Sequence, residues 1–214
     1  MTVRQPEIEE VVKILESGGV IAFPTDTVYG LAADAFNPRA VARIYEIKTR
    51  PGYLQLPLLI ARADQLATLA DPIPQIAWFL ARHFWPGGLT MVLARAGSVP
   101  DHLTHGSTIA VRVPDHPIPL ALIEHLGRPI VGTSANISGQ ANTLTAEEVR
   151  QQLGGKIEFI IDAGRCPGGK ESTVVEVTGE PPVVLRQGII ASHEIDQAYE
   201  EYLELNSGTH CCGR

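Results

Sequence analysis

Gly18-Gly19-Val20-Ile21-Ala22-Phe23-Pro24 is the stretch on which the fold turns. Four apolar residues between a Gly pair and a Pro are too few for a helix. Their β-branched and aromatic side chains and the breakers at both ends read as a short, buried strand. Upstream, Ile8, Val11, Val12, Ile14 and Leu15 fall at helical spacing, so the pattern predicts a helix over 8–17 that Gly18-Gly19 ends. Downstream, Asn37 reads as an N-cap with Pro38 at the first helical position, and the helix runs to about Ile47. Helix, buried strand and helix in succession mark an α/β chain.

The remaining segments extend that pattern irregularly. Strands are predicted over 56–61, 89–93, 108–113, 129–133, 157–162, 172–177 and 183–185. Helical segments are predicted over 65–69, 73–83, 118–126, 147–153 (capped by Thr145) and 195–203. Several strands follow one another with no helix between them. That favours a mixed, twisted β-sheet with flanking helices over a purely parallel doubly wound sheet. Residues 1–204 read as one domain, and 205–214 as a disordered tail. The strongest loop signal is 164–170, with four Gly or Pro residues.

Composition narrows the function classes. A hydrophobic content of 44% with 19% charged residues fits a soluble globular chain. The first ten residues are too polar for a signal peptide, and no apolar run has membrane-spanning length. A net charge of -7 argues against a surface that grips nucleic acid all over, while leaving room for a local basic cleft. The three cysteines, Cys166, Cys211 and Cys212, form no C-x-x-C pair, so neither a zinc site nor a disulfide framework is expected. The expected compartment is the cytoplasm.

No Walker loop, dinucleotide glycine motif, nucleophile elbow or H-E-x-x-H pair is present. A nucleotide would have to be held by dispersed cations and backbone donors. Lys48, Arg50, Arg112 and Arg186 fall at helix ends, strand edges or loops, where such groups can converge. Taken singly, each reads first as a surface residue in a weak ion pair. Gly132-Thr133-Ser134-Ala135-Asn136 follows an apolar strand; it can approach a phosphate or a hydrated magnesium ion, or simply cap a turn. Thr25-Asp26-Thr27 offers two hydroxyls and a carboxylate, suited to a small ligand bearing both amine and carboxylate, or to a hydroxyl turn. Residues 84–90 read as a structural turn between helix and strand. Asp115-His116-Pro117 reads as a turn, with a catalytic His116 as the other reading.

In order, the blocks Pro24-Thr25-Asp26-Thr27-Val28-Tyr29-Gly30-Leu31, Lys48-Thr49-Arg50, Phe84-Trp85-Pro86-Gly87-Gly88-Leu89-Thr90, Ala110-Val111-Arg112-Val113-Pro114, Ser134-Ala135-Asn136, Ser172-Thr173-Val174 and Leu185-Arg186-Gln187-Gly188 resemble the YrdC family of threonylcarbamoyl-AMP synthases. The resemblance implies an α/β twisted sheet with a concave, positively charged face. It implies that L-threonine, bicarbonate or CO2, and ATP become threonylcarbamoyl-AMP and pyrophosphate. A partner complex then modifies tRNA. By the same resemblance Lys48, Arg50, Ser134 and Asn136 are the catalytic set, holding the triphosphate with its Mg2+, which the ATP carries with no direct protein ligand. Thr108, Asn142 and Arg186 would also touch the nucleotide, and Thr27, Arg112, Gly132 and Ser172 would hold threonine, with Arg112 on its carboxylate. Leu54 and Leu59 stand in the strand after the K-x-R, where they offer no polar contact. The chain resembles the short, single-domain form of the family.

Replacing Lys48 or Arg50 by Ala is expected to abolish adenylate formation and leave the fold intact. One alternative is a non-catalytic paralogue that binds RNA through the concavity. Another is a carbamoyl-transfer domain like those in hydrogenase-maturation proteins, whose zinc-finger-like cysteines are absent here.

Overall fold

The computed structural model describes residues 5–49, 55–104 and 106–207. Helix α1 (Gln5–Glu16) ends at Gly18, whose φ of 86° is the left-handed turn a Gly adopts freely. The chain then enters β1 (Ile21–Phe23), turns, and returns as β2 (Gly30–Asp34). Helix α2 (Pro38–Lys48) starts where expected: the Asn37 side chain accepts from the backbone N–H groups of Arg39 and Ala40.

Strand β3 (Leu58–Leu59) is shorter than the 56–61 run, and 63–68 is a 3-10 turn rather than a regular helix. Next come α3 (Gln75–Phe84), β4 (Leu89–Ala94), β5 (Thr108–Arg112), α4 (Pro117–Leu126), β6 (Ile130–Ser134) and α5 (Ala146–Leu153). Thr145 caps α5 by accepting from Glu148 N. The chain ends with β7 (Phe159–Ile160), β8 (Thr173–Glu176), β9 (Val183–Arg186) and α6 (Ser192–Ser207). Helix α6 runs to Ser207, three residues into the segment expected as a tail. Residues 208–214, with Cys211 and Cys212, lie outside the described residues.

The strands form one mixed sheet in the order β7-β1-β2-β6-β3-β5-β4-β8-β9. The mixed sheet is as expected, but β2 is an addition. It is buried along its length and pairs antiparallel with both β1 and β6. Its Gly-Leu-Ala-Ala-Asp sequence has weak strand propensity, and burial between two neighbours overrides that. Asp34 closes the strand: its buried carboxylate takes three guanidinium contacts from Arg128 at 2.7–3.0 Å.

The sheet separates two apolar layers. On one face α2, α3, α5 and α6 bury Ile44, Leu80, Val149 and Ile195 against Leu58, Met91, Val111 and Val175. On the other, α1 and α4 bury Leu15 and Leu122 against Ile21, Phe23 and Ile130. A concave cavity opens on this second face, lined by the sheet's central strands.

Candidate functional site

The cavity has a volume of about 530 Å3. Its floor follows from strand periodicity. Thr90 and Val92 on β4, Ala110 and Arg112 on β5, and Ser172 and Val174 at β8 point into it. Their neighbours Met91, Val111 and Val175 enter the opposite core. Lys48 comes from the end of α2, Ser134 and Asn136 from the end of β6 and the turn beyond, Thr27 from the β1–β2 turn, and Arg186 from β9.

Lys48 is only 1% exposed. Its ammonium donates to the carbonyl oxygens of Ser134 (2.5 Å) and Asn136 (2.8 Å), and to Asn136 Oδ1 (3.0 Å). Its own carbonyl accepts from Ser138 N, so the residue clamps α2 to the turn after β6 from both ends. Asn136 Oδ1 also accepts from Ser134 Oγ (2.7 Å), and Asn136 Nδ2 donates to Gln140 O. This corrects the expectation that Lys48→Ala leaves the fold intact: removing the ammonium strips three oxygens of a donor. Arg50 and Leu54 lie outside the described residues.

Arg112, 7% exposed, sits at the other end of the cavity. Nε donates to Gly87 O (2.9 Å), Nη1 to Thr27 Oγ1 (3.1 Å), and Nη2 to both oxygens of Asp26 (2.7 Å each). Burial pushes the guanidinium down from its ordinary pKa, and Asp26 pulls it back. Thr27 Oγ1 is held in turn by Thr25 Oγ1 at 2.9 Å. The structural turn at 84–90 therefore also delivers the Gly87 carbonyl that aims Arg112.

Ser172 Oγ shares a hydrogen bond with Thr90 Oγ1 (2.8 Å). Arg186 donates to Ser172 O (2.9 Å) and pairs with Glu171 (2.6 Å). Gly132 lines the cavity beside Leu59; a Cβ there would lie 2.6 Å from the Leu59 side chain, so the Gly opens this wall. Leu59 thus contributes an apolar wall and no polar grip.

Thr108 and Asn142 are not among the residues lining the cavity. The Thr108 carbonyl accepts from Gln55 Nε2 and Thr104 Oγ1, and Asn142 is half-buried in the turn before α5. Sequence reasoning missed Thr90, Glu171 and the pairing of Asp26 with Arg112. Asp26 stood in a recognisable polar turn; Thr90 closed a block that read as structural, and its strand parity is the signal that aims it at the cavity.

The 164–170 loop docks on the outside of the Thr25–Thr27 turn. Gly169 N donates to Thr27 O (3.0 Å), and a Cβ on Gly168 would meet Asp26 O and Thr27 Cα at 2.8 Å. Cys166 is buried there, and desolvation pushes its thiol up to about 11, which makes it a poor nucleophile. Among the described residues no three His, Cys, Asp or Glu side chains gather as a metal site, and no helix is long and apolar enough to cross a membrane.

His116 is a cap and not a catalyst in this geometry: its Nδ1 accepts from Ile118 N at the start of α4. Burial holds its pKa below the ordinary value, with Asp26 and Asp115 opposing. Protonation would remove the acceptor, so this contribution is complete above the unfolded value of about 6.5 and is lost as pH falls through the lower folded value. Between about pH 7.5 and 5.5, the melting temperature should fall more for the wild type than for His116→Asn, which keeps a cap without the titration. Equal falls in both proteins would remove His116 from the acid response.

A family model described as telomere recombination, for the Sua5/YciO/YrdC proteins, matches residues 13–188. A threonylcarbamoyl-AMP synthase of Pyrococcus abyssi (strain GE5 / Orsay) is 47% identical over 188 residues, 87% of this chain and 55% of that protein. One from Bacillus subtilis (strain 168) is 42% identical over 198 residues, 92% of this chain and 57% of the relative. This chain therefore spans little more than half the length of these two relatives. The crystal structure of P. abyssi Sua5 complexed with L-threonine matches with a TM-score of 0.89 at 45% identity, covering 92% of this chain and 58% of that one.

Proposed function

The chain belongs to the Sua5/YciO/YrdC family, and on that footing we propose that it makes threonylcarbamoyl-AMP and pyrophosphate from L-threonine, bicarbonate or CO2, and ATP. The observation that carries this reading is the convergence of Lys48, Ser134, Asn136, Arg112, Ser172 and Arg186, from separate elements, around one cavity. The threonine ammonium releases two protons as its nitrogen adds to CO2, one to free the amine and one on forming the carbamate. A carbamate oxygen then attacks the α-phosphorus of ATP, and the bond to pyrophosphate breaks. No protein nucleophile is needed. Holding the reactants in line can supply ~7–11 kcal/mol at best, and fixed positive charge at the phosphates adds to it.

The triphosphate is held at the Ser134–Asn136 end, over the buried Lys48 charge, with Arg186 on the nucleotide; the contacts that the family resemblance gives Arg50, Thr108 and Asn142 belong to the same proposal. Threonine takes the other end, beside Thr27, Arg112, Gly132 and Ser172. Magnesium comes with the ATP and neutralises charge on the departing pyrophosphate. The Ser134 hydroxyl points its proton at Asn136 Oδ1 and so keeps lone pairs for a hard cation or a ligand donor. The product passes to a complex that transfers the threonylcarbamoyl group to tRNA in the cytoplasm.

Purified protein with ATP, magnesium and bicarbonate should release pyrophosphate only when L-threonine is added, and a threonylcarbamoyl-AMP mass should appear with it. Release that ignores threonine, or none at all, would sink the assignment.

A further inference from the structure

The Arg112 guanidinium is already engaged by a carboxylate of its own chain. Nε donates to Gly87 O, Nη1 to Thr27 Oγ1, and Nη2 to both Asp26 oxygens, which share it. At least one of the five N–H groups, on Nη1, is left for a ligand. Asp26 is itself fixed, because Asp115 N donates to its Oδ1 (3.1 Å). Its side chain is 16% exposed and that of Arg112 is 8% exposed. The pair is thus a nearly buried, electrically neutral unit at the wall of the cavity.

A ligand carboxylate that reaches Arg112 meets this neutral pair and not a free cation. A simple carboxylate would leave the group it forms with Arg112 and Asp26 net negative, or would have to expel Asp26 and leave it unpaired; either is costly. A zwitterion brings its own cation and keeps the ensemble neutral. Resting on the proposed threonine site, we propose that Asp26 is its specificity-determining residue: by neutralising Arg112 it admits an amino-acid zwitterion and rejects the same acid lacking its amine. Asp26 acts through Arg112 and is not among the residues lining the cavity, so it is a positioning residue with a charge-selecting effect.

The test is calorimetric binding of L-threonine and of 3-hydroxybutyrate, its amine-free analogue, to wild type, Asp26→Asn and Asp26→Glu, with ATP binding as the fold control. The wild type should prefer threonine by at least about tenfold. In Asp26→Asn the pair carries a net positive charge, so the preference should shrink about tenfold, with 3-hydroxybutyrate binding tightest at low salt. Asp26→Glu should restore the preference. Equal affinity of the wild type for both acids overturns the inference and leaves the threonine site standing. An unchanged ratio in an Asp26→Asn protein that still binds ATP overturns it too. If the wild type binds neither acid, the threonine assignment falls and this inference falls with it. The wild-type comparison can still overturn the inference if the Asn variant does not fold, and Asp26→Glu then serves as the variant that reads the role of Asp26.

Discussion

Lys48→Met is expected to lose folding stability and product formation together, and Lys48→Arg is expected to restore neither. Methionine has nearly the length of lysine and no donor. The carbonyls of Ser134 and Asn136 and the Asn136 amide oxygen would each lose their ammonium contact. An unsatisfied buried acceptor costs ~1–3 kcal/mol, and cavity water can relieve part of it, so the net loss should be on the order of 3 kcal/mol. Arginine fails for a geometric reason: three oxygens converge on one point, which a compact ammonium can serve and a planar fork cannot. Urea unfolding gives the stability, and pyrophosphate release below the variant's transition gives the activity. A Lys48→Met protein as stable as wild type, yet inactive, would mean that the ammonium serves a ligand first.

Gly188→Ala should disable the opposite wall. A Cβ at this position would run into Glu171 O and would sit 2.5 Å from the carbonyl carbon and oxygen of Ser172, all backbone atoms that cannot swing aside. Ser172 and Glu171 hold Arg186, so the displacement moves the cation with them. Overpacking of this kind costs ~1–3 kcal/mol, and the rigid neighbours place this case at the upper end. The melting temperature should drop by several degrees, and threonine-dependent turnover should fall at least tenfold. Gly97→Ala is the matched control, because a Cβ there meets nothing within 4 Å. If the two variants melt together, the steric argument is wrong.

Much of the fold was readable because local chemistry and tertiary structure agree. Asn37 and Thr145 are strong caps, Gly18-Gly19 is a strong stop, and β4 and, up to Arg112, β5 carry β-branched or apolar residues. The failures share a cause. Strand β2, Gly-Leu-Ala-Ala-Asp, has weak strand propensity, and its place is set by pairing with β1 and with β6, about a hundred residues on. Strand β3 shrank to two residues because pairing to β5 and β6 limits it, whatever the length of its apolar run.

The site was legible as a set of residues and not as a network. Lys48, Arg112 and Asn136 carry the right chemistry in sequence. That Lys48 is held by oxygens of Ser134 and Asn136, and Arg112 paired with Asp26, depends on partners 86 or more residues away. Thr108 and Asn142, polar residues in or near the same blocks, do not line the cavity themselves.

The alternation across the central strands has an evolutionary consequence. Thr90, Val92, Ala110 and Val174 belong to the cavity, while Met91, Val111 and Val175 belong to the supporting core one residue away. Mutational drift can therefore sample new ligand preferences at every second position while the intervening residues keep the scaffold foldable. A library confined to the cavity parity would therefore vary the ligand surface while leaving the supporting core unchanged.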